Sequence, residues 1–297
     1  MGVPKVKELA EVLRSSLNPP FTVNYPFVPS PPPPSFRGKP VFDEDRCVGC
    51  GICVDRCPSK AIEIEDLGSK RRLTVHYNRC IYCAFCNYNC QPLEGVKPSQ
   101  DYKLVFTDKS EAVHSIERLS PVVRVKEDLC IGCARCEYVC KIGAAKLVRK
   151  EGKWVSTIDP IKCRGCGICS VACPAMVIEV PLSPLDDVMD KIRGAFPTRD
   201  SKPNIMIFHC IWCDVSPDDL VKRFPDSNIS FIKIVCSGRL HPVFVLEAFK
   251  NGADGVLIFS CGMSDCHFGG GPKNVKPRIE SLKPILREVG LEVERLQ

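Results

Sequence analysis

The hydrophobic pattern changes character along the chain. Near the start, Val6, Leu9, Leu13 and Leu17 recur at helical spacing, with Lys5, Lys7, Glu8 and Arg14 off the stripe. This predicts a short amphipathic helix. Nine prolines then fall between Pro19 and Pro40, four of them consecutive at 31–34. Such a segment is extended and stiff, with no core of its own. The far end alternates instead. "NIMIFHC" (204–210), "ISFIKIVC" (229–236) and "DGVLIFSC" (254–261) are apolar runs of strand length. "SPDDLVKRF", with Ser216 as cap and Pro217 at the first position, predicts a helix; so do "HPVFVLEAFKNG", closed by Gly252, and "KPRIESLKPILREVG". "LEVERL" (291–296) is expected to be a final strand. Strand–helix alternation predicts a small parallel α/β domain. Before it, prolines at 181, 184, 197 and 203 surround one short helical run, which is the pattern of a linker.

Composition changes the picture through one residue type. The chain has 297 residues, 44% of them hydrophobic and 26% charged, and 21 cysteines. "MGVPKVKELAEVLRSSLNPP" lacks the apolar run and small-residue cleavage site of a secretory leader, so a reducing, cytoplasmic setting is expected rather than a disulfide framework. No run of about 18 apolar residues exists, so no membrane-spanning helix is expected.

Sixteen cysteines fall into four similar motifs. They are "CVGCGICVDRCP" from Cys47, "CIYCAFCNYNCQP" from Cys80, "CIGCARCEYVCKI" from Cys130 and "CRGCGICSVACPA" from Cys163. The first cysteines of motifs one and two stand 33 residues apart (80 − 47), as do those of motifs three and four (163 − 130). A two-motif module has been used twice. A Cys-x-x-Cys-x-x-Cys loop can wrap three iron corners of a [4Fe–4S] cluster, and in two-cluster ferredoxins the fourth ligand is the last cysteine of the other motif. The expected ligand sets are therefore Cys47, Cys50, Cys53 and Cys90; Cys80, Cys83, Cys86 and Cys57; Cys130, Cys133, Cys136 and Cys173; and Cys163, Cys166, Cys169 and Cys140. Gly49, Gly51, Gly132, Gly165 and Gly167 suit loops passing close to a cluster. Structural zinc sites also use Cys-x-x-Cys, but as two separated pairs; a third cysteine in register has no role in a tetrahedral site. The proline after the last cysteine is present at Pro58 and Pro174, displaced at Pro92 and replaced by Lys141.

Residues 40–180 resemble two bacterial-type 2[4Fe–4S] ferredoxin domains. Within them, "FRGKPVFDEDRCVGCGICVDRCPSKAIEIE", "HYNRCIYCAFCNYNC" and "DYKLVFTDKS" resemble the ferredoxin-like subunit of complex I and of membrane-bound hydrogenases, over roughly residues 1–120. That resemblance implies two clusters in a cytoplasmic arm beside a membrane. In that setting a short amphipathic helix on a stiff arm is suited to grip a neighbouring or membrane-facing subunit; the alternative is that it packs back on its own ferredoxin domain. "CQPLEGVKPSQ" departs from the family's Cys-Pro run, and motifs three and four lie outside its pattern.

Five cysteines remain: Cys210, Cys213, Cys236, Cys261 and Cys266. Three end predicted strands, and the C-terminal edge of a parallel sheet is where ligands bind. Any one of them fits a buried core thiol; five converging points to a metal or redox site. "HCIWCDVSPDDL", "VCSGRLHPVFVLEAFKNGADGVLIFSC" and "SDCHFGGGPKN" resemble the delta subunit of methyl-viologen-reducing hydrogenase. This implies a [2Fe–2S] cluster on four of the five thiols and electron delivery to the flavoprotein of heterodisulfide reductase. The "DVSPDD" loop and "GGGPKN" depart from that family.

The expected class is α+β: two tandem bacterial-type 2[4Fe–4S] ferredoxin modules followed by a small parallel α/β domain. The expected boundaries are 1–40 for helix and arm, 41–120 and 121–182 for the modules, 183–202 for the linker and 203–297 for the last domain. Four [4Fe–4S] clusters and one [2Fe–2S] cluster are the expected cofactors. The formal charge is +6, but thiolate-held clusters carry about −2 each, so five would bring the loaded protein to about −4. No nucleic-acid-binding motif is evident, and Lys70, Arg71 and Arg72 are expected on a solvated or partner-facing surface. His76, His114, His209, His241 and His267 are scattered and expected to be structural, with His267 beside Cys266 a candidate hydrogen-bond tuner of a cluster. No nucleophile–base pair or nucleotide loop appears. The chain reads as an electron-transfer subunit between a complex I-like hydrogenase or dehydrogenase module and a heterodisulfide-reductase-like flavoprotein, peripheral to the inner face of the membrane through partner subunits. The alternatives are a soluble electron-bifurcating complex and a scaffold whose clusters only hold the fold.

Overall fold

The computed structural model describes residues 6–19, 22–23, 27–91, 93–102, 104–197, 203–213, 216–264 and 266–297. Lys5, Pro20, Pro26, Pro92, residues 198–202, Asp214, Val215 and Asp265, which figure in the sequence patterns above, lie outside them. The chain forms two compact units, residues 1–36 and 37–297. In the first, the apolar stripe predicted on Val6, Leu9, Leu13 and Leu17 lies on helix α1 (Val6–Leu17), and all four side chains are exposed.

The second unit opens with strand β1 (Pro40–Phe42) and helix α2 (Ile52–Arg56). Strands β2 (Ile62–Asp66) and β3 (Lys70–His76) follow, then helix α3 (Phe85–Tyr88), β4 (Val96–Pro98) and β5 (Val113–Leu119). β1 pairs with β4, and β3 is the centre of an antiparallel β2-β3-β5 sheet. Side chains alternate across a strand, so Leu73 and Val75 of β3 are fully buried while Arg72 and Thr74 face out. They pack with Phe42, Ile62, Val96 and Ile116 into the first core.

The next stretch repeats the plan with β6 (Arg124–Val125), α4 (Arg135–Val139), β7 (Ala145–Lys150), β8 (Lys153–Ile158), α5 (Ile168–Ala172) and β9 (Ile178–Glu179). β7 and β8 form a hairpin whose two turn residues, Glu151 and Gly152, are both left-handed (φ 48° and 82°). That is the turn whose twist matches the flanking strands.

The C-terminal part has a three-stranded parallel sheet, with β10 (Asn204–Cys210) between β11 (Asn228–Ile234) and β12 (Gly255–Phe259). Its helices are α6 (Leu185–Arg193), α7 (Pro217–Arg223), α8 (Pro242–Lys250) and α9 (Gly271–Glu288). Ser216 caps α7, accepting from the Asp219 N–H at 3.3 Å. Met206, Phe208, Ile232, Ile234, Phe244, Leu282 and Leu286 form the core.

Three local expectations change. The stretch read as a linker contributes α6, whose Val188 and Ile192 are buried in this core. The last helix begins at Gly271 rather than Lys276, because Pro272 is tolerated in a helix's first turn. "LEVERL" is not a strand: Val293–Arg295 makes a 3₁₀ turn, and Leu296 touches β12 by one bridge at Val256. Turning the chain there drops Leu296, fully buried, into the core.

Candidate iron–sulfur sites

The four cysteine motifs share one backbone device. Gly51, Ala84, Ala134 and Gly167 are left-handed, with φ between 57° and 76°, and each leads into the short helix α2, α3, α4 or α5. Two residues before each stands another left-handed residue: Gly49, Tyr82, Gly132 and Gly165. Successive left-handed turns point N–H groups into a concavity suited to anions. Gly165 shows the constraint most sharply. A Cβ there would lie 2.6 Å from the Pro121 carbonyl oxygen, at φ +74°.

Each loop gathers its own thiols and one from its neighbour. Cys90 joins Cys47, Cys50 and Cys53, where burial pushes the Cys50 thiol up to about 12 and the Ile52 N–H pulls the other way. Cys57, Cys80, Cys83 and Cys86 line one cavity. At Cys57 burial opposes ionisation, but hydrogen bonds from Ser59 and from the Ala61 N–H, at 3.2 Å, hold the thiol below its ordinary value. Cys130, Cys133, Cys136 and Cys173 line another cavity, with the Ser156 hydroxyl 3.1 Å from Cys136 Sγ. Cys140 lies with Cys163, Cys166 and Cys169; burial pushes Cys166 to about 12. Thiols pushed up by burial are poor isolated anions and need a positive partner. Quartets of soft sulfur donors beside inward-facing N–H groups have the chemistry an iron–sulfur cluster requires.

The five remaining cysteines also converge. The sulfurs of Cys210, Cys213 and Cys261 lie within 4.8 Å of one another, Cys213 and Cys261 at 3.5 Å. Cys236 and Cys266 flank them across Gly271: a Cβ on that glycine would sit 2.9 Å from Cys236 Sγ and 3.2 Å from Cys266 Sγ. The Gly271 N–H donates to Cys266 Sγ at 3.2 Å. Hydrogen bonds from Cys213, Cys236 and Cys261 pull the Cys210 thiol strongly down, and the same proximity pushes Cys213 up.

This thiol group is buried against both repeated modules. Cys210 and Trp212 pack with Cys50, Val48 and Ile52 of motif one. Val235 and Cys236 belong to the core of the second module. His267 stacks on Trp212 with ring centroids 3.3 Å apart, and its Nε2 lies 3.6 Å from Cys50 Sγ. Beside Cys266 in sequence, its ring thus reaches the sulfur of a distant motif. Burial drops its pKa to about 4, so the ring is neutral. The other histidines have local surroundings: His76 pairs with Glu63 at 3.1 Å, His114 stacks on Phe42, His209 meets the Phe231 ring edge-on, and His241 accepts from the Val243 N–H to cap α8.

One surface expectation is overturned. Arg72 is on the surface, paired with Glu65 at 2.9 Å and Glu117 at 2.6 Å, and Lys70 is exposed. Arg71 is fully buried. Its guanidinium donates to the carbonyls of Gly49 (2.9 Å), Cys163 (3.2 Å) and Pro160, tying the loops of motifs one and four together. The signal was present, since Arg71 shares the inward face of β3 with Leu73 and Val75. Arg164, 8% exposed, bridges the same junction to Asp55 at 2.8 Å.

The fold and these sulfur clusters define a multi-site iron–sulfur protein with two ferredoxin-type regions. Residues 40–63 match the 4Fe-4S binding domain and residues 123–180 the 4Fe-4S dicluster domain. Residues 205–297 match the methyl-viologen-reducing hydrogenase delta subunit. An iron-sulfur subunit of the F420-non-reducing hydrogenase of Archaeoglobus profundus is 35% identical over 103 residues, 34% of this chain and 75% of that protein. The chain belongs to the methyl-viologen-reducing hydrogenase delta-subunit family. It is also 38% identical over 177 residues to one subunit of the ferredoxin:CoB-CoM heterodisulfide reductase of Methanosarcina mazei, which covers 58% of this chain but 22% of that protein. NADH-quinone oxidoreductase subunit 9 of Rhodothermus marinus is 37% identical over 135 residues, 42% of this chain and 59% of that protein. The chain thus spans about a fifth of the heterodisulfide reductase relative and over half of the quinone oxidoreductase one. Among the described residues no helix is long and apolar enough to cross a membrane.

Proposed function

We propose that this chain is an electron-transfer subunit of a larger oxidoreductase complex, holding four [4Fe–4S] clusters and one [2Fe–2S] cluster. The observation that carries the reading is the contiguity of the sulfur groups within one compact unit. Cys86 neighbours Cys53, Cys50 meets His267, Cys166 neighbours both Cys236 and Cys266, and Cys136 neighbours Cys169. Proteins that use clusters only as staples have no need of five abutting sites.

In this reading the ligand sets are Cys47, Cys50, Cys53, Cys90; Cys57, Cys80, Cys83, Cys86; Cys130, Cys133, Cys136, Cys173; and Cys140, Cys163, Cys166, Cys169. Four of Cys210, Cys213, Cys236, Cys261 and Cys266 hold the fifth cluster. When bound, such clusters take up and release one electron at a time. The residues around them exclude water and supply N–H donors to sulfur, such as Gly271 N–H to Cys266 and Ala61 N–H to Cys57. Trp212, His267 and Phe268 pack between motif one and the last thiol group. The domains in this scheme are 41–120, 121–182 and 203–297, the last completed by α6 from the 183–202 segment, with 1–40 as a docking arm. Electrons run between a complex I-like hydrogenase or dehydrogenase module and a heterodisulfide-reductase-like flavoprotein, on the inner face of a membrane. The names of the three relatives, each a redox-complex subunit, support this setting.

The test is stoichiometric and then functional. Anaerobically purified protein holds about 18 iron atoms in this reading; zinc in place of iron sinks it. Cys86→Ala stops electron transfer through the assembled complex while the subunits still associate. Unimpaired turnover, with loss of the cluster confirmed spectroscopically, favours a structural scaffold.

A further inference from the structure

Among the described residues the buried charged side chains are all arginines: Arg71, Arg164 and Arg239, and no carboxylate is buried with them. Arg71 and Arg164 stand at the junction of motifs one and four, and Arg239 stands against motif four from the C-terminal side. Arg71 donates to the carbonyls of Gly49 and Cys163, one from each motif. Arg164 lies within motif four and meets Asp55, two residues past Cys53. Arg239 runs against motif four, its Cδ 2.7 Å from where a Cβ on Gly167 would be. It donates to the Ser183 carbonyl at 3.4 Å and lies over the Phe244 ring at 5.4 Å.

A buried cation needs a negative partner, since removing it from water costs several kcal/mol unless it is paired. Arg164 has Asp55. Arg71 and Arg239 form no ion pair with a carboxylate among the described residues, and the Nε of each has no hydrogen-bond partner. The negative charge that acts on Arg71 comes from Cys163, the Asp66 carboxylate and Cys50, and that on Arg239 from Cys169. The two outer quartets, Cys57/80/83/86 and Cys130/133/136/173, have no buried cation among the described residues.

Resting on the cluster assignment above, we infer that Arg71 and Arg239 act as positioning charges. They make the two inner sites, Cys47/50/53/90 and Cys140/163/166/169, easier to reduce than the two outer ones. Reduction adds one negative charge to a site already carrying four thiolates. A fixed guanidinium offsets that added charge, and burial leaves water little share in screening it. Arg71 is shared by both inner sites; Arg239 serves only the motif-four site. Electrons entering from either end then collect at the centre, beside the C-terminal thiol group.

The experiment is an EPR-monitored redox titration of the full-length, iron-loaded protein, with dithionite as reductant. In the parent, two of the four [4Fe–4S] signals are reduced at higher potential than the other two. Arg71→Gln lowers both of these, each by about tenfold in the reduced-to-oxidised ratio, which is about 59 mV for a one-electron couple. Arg239→Gln lowers one of the same two. Arg71→Lys keeps the charge and restores most of the shift. If iron-loaded charge-removing variants leave all potentials unchanged, or lower all four alike, the inference is overturned. Should Arg71→Gln fail to load its clusters, Arg239→Gln decides alone, because its guanidinium has one described hydrogen bond, to the Ser183 carbonyl, where that of Arg71 ties two motif loops together; an unmoved potential there refutes the inference. A parent protein without iron would instead refute the cluster assignment.

Discussion

Gly271→Ala tests the C-terminal site through a single methyl group. A Cβ at this position would stand 2.9 Å from Cys236 Sγ, 3.2 Å from Cys266 Sγ and 2.8 Å from Ser237 Oγ. Ordinary non-bonded contact begins near 3.5–4.0 Å, so the Cys236 sulfur must retreat by about 0.6–1.1 Å. Cys236 is fully buried, so its sulfur has no solvent to retreat into. Metal–ligand distances tolerate about 0.2 Å, so the displacement exceeds what a bound cluster accepts. Any four of the five cysteines include Cys236 or Cys266, so the result does not depend on which thiol is spare. Overpacking of this kind costs about 1–3 kcal/mol, enough to disturb the loop without unfolding the domain. The expected outcome is loss of about two iron atoms of about 18, with the two-iron EPR signal gone and the four-iron signals unchanged. Gly194→Ala is the control, because its Cβ meets only the Asp190 carbonyl, at 3.4 Å, near the end of α6. Full iron content and an unaltered spectrum in Gly271→Ala would refute the placement of a cluster on this thiol group.

Asp55→Ala removes the partner of the buried Arg164 guanidinium, and the docking of the two modules weakens by about 1–3 kcal/mol. That is below the cost of breaking a fully buried pair because the Asp55 side chain is 44% exposed; an unchanged urea midpoint for the loaded protein contradicts it. Glu137 is held below its ordinary pKa of 4.5 by the Leu147 N–H and then by Lys146. A carboxylate with a lowered folded pKa stabilises above its unfolded value and loses that contribution as pH falls through the folded one. Glu137→Gln therefore makes stability fall less steeply below about pH 4.5, and acid titrations of equal slope would exclude the role. Deleting residues 1–40 should release the rest from membranes with every cluster signal intact. A full-length native complex that stays in solution at low salt without detergent would instead favour the soluble bifurcating alternative; low salt matters because screening at high ionic strength would mimic solubility.

Much of the site was legible because cysteine spacing is local information. Cys-x-x-Cys-x-x-Cys is set by the loop that wraps a cluster, and the 33-residue repeat reveals the module. The strands ending at Cys210, near Cys236 and near Cys261 were legible for the same reason: apolar runs of strand length between turn signals are also local. Leu296 shows the limit. Its segment alternates weakly, and what decided its conformation was a place in the core beside Val256, which lies 40 residues earlier (296 − 256).

The amino-acid sequence by itself determined the number of cysteine motifs, their kind and the parallel C-terminal sheet. Only the tertiary structure decided how these sites face one another. His267 is adjacent to Cys266 in sequence yet reaches Cys50, 217 residues away. Arg71 sits among basic neighbours that look solvated, yet β3 turns it inward to join Gly49 to Cys163. The physical reason is that a charged side chain belongs inside only when something distant answers its charge and its hydrogen bonds. Here the carbonyls and thiols of two other motifs do so, and no pattern within β3 records where they lie.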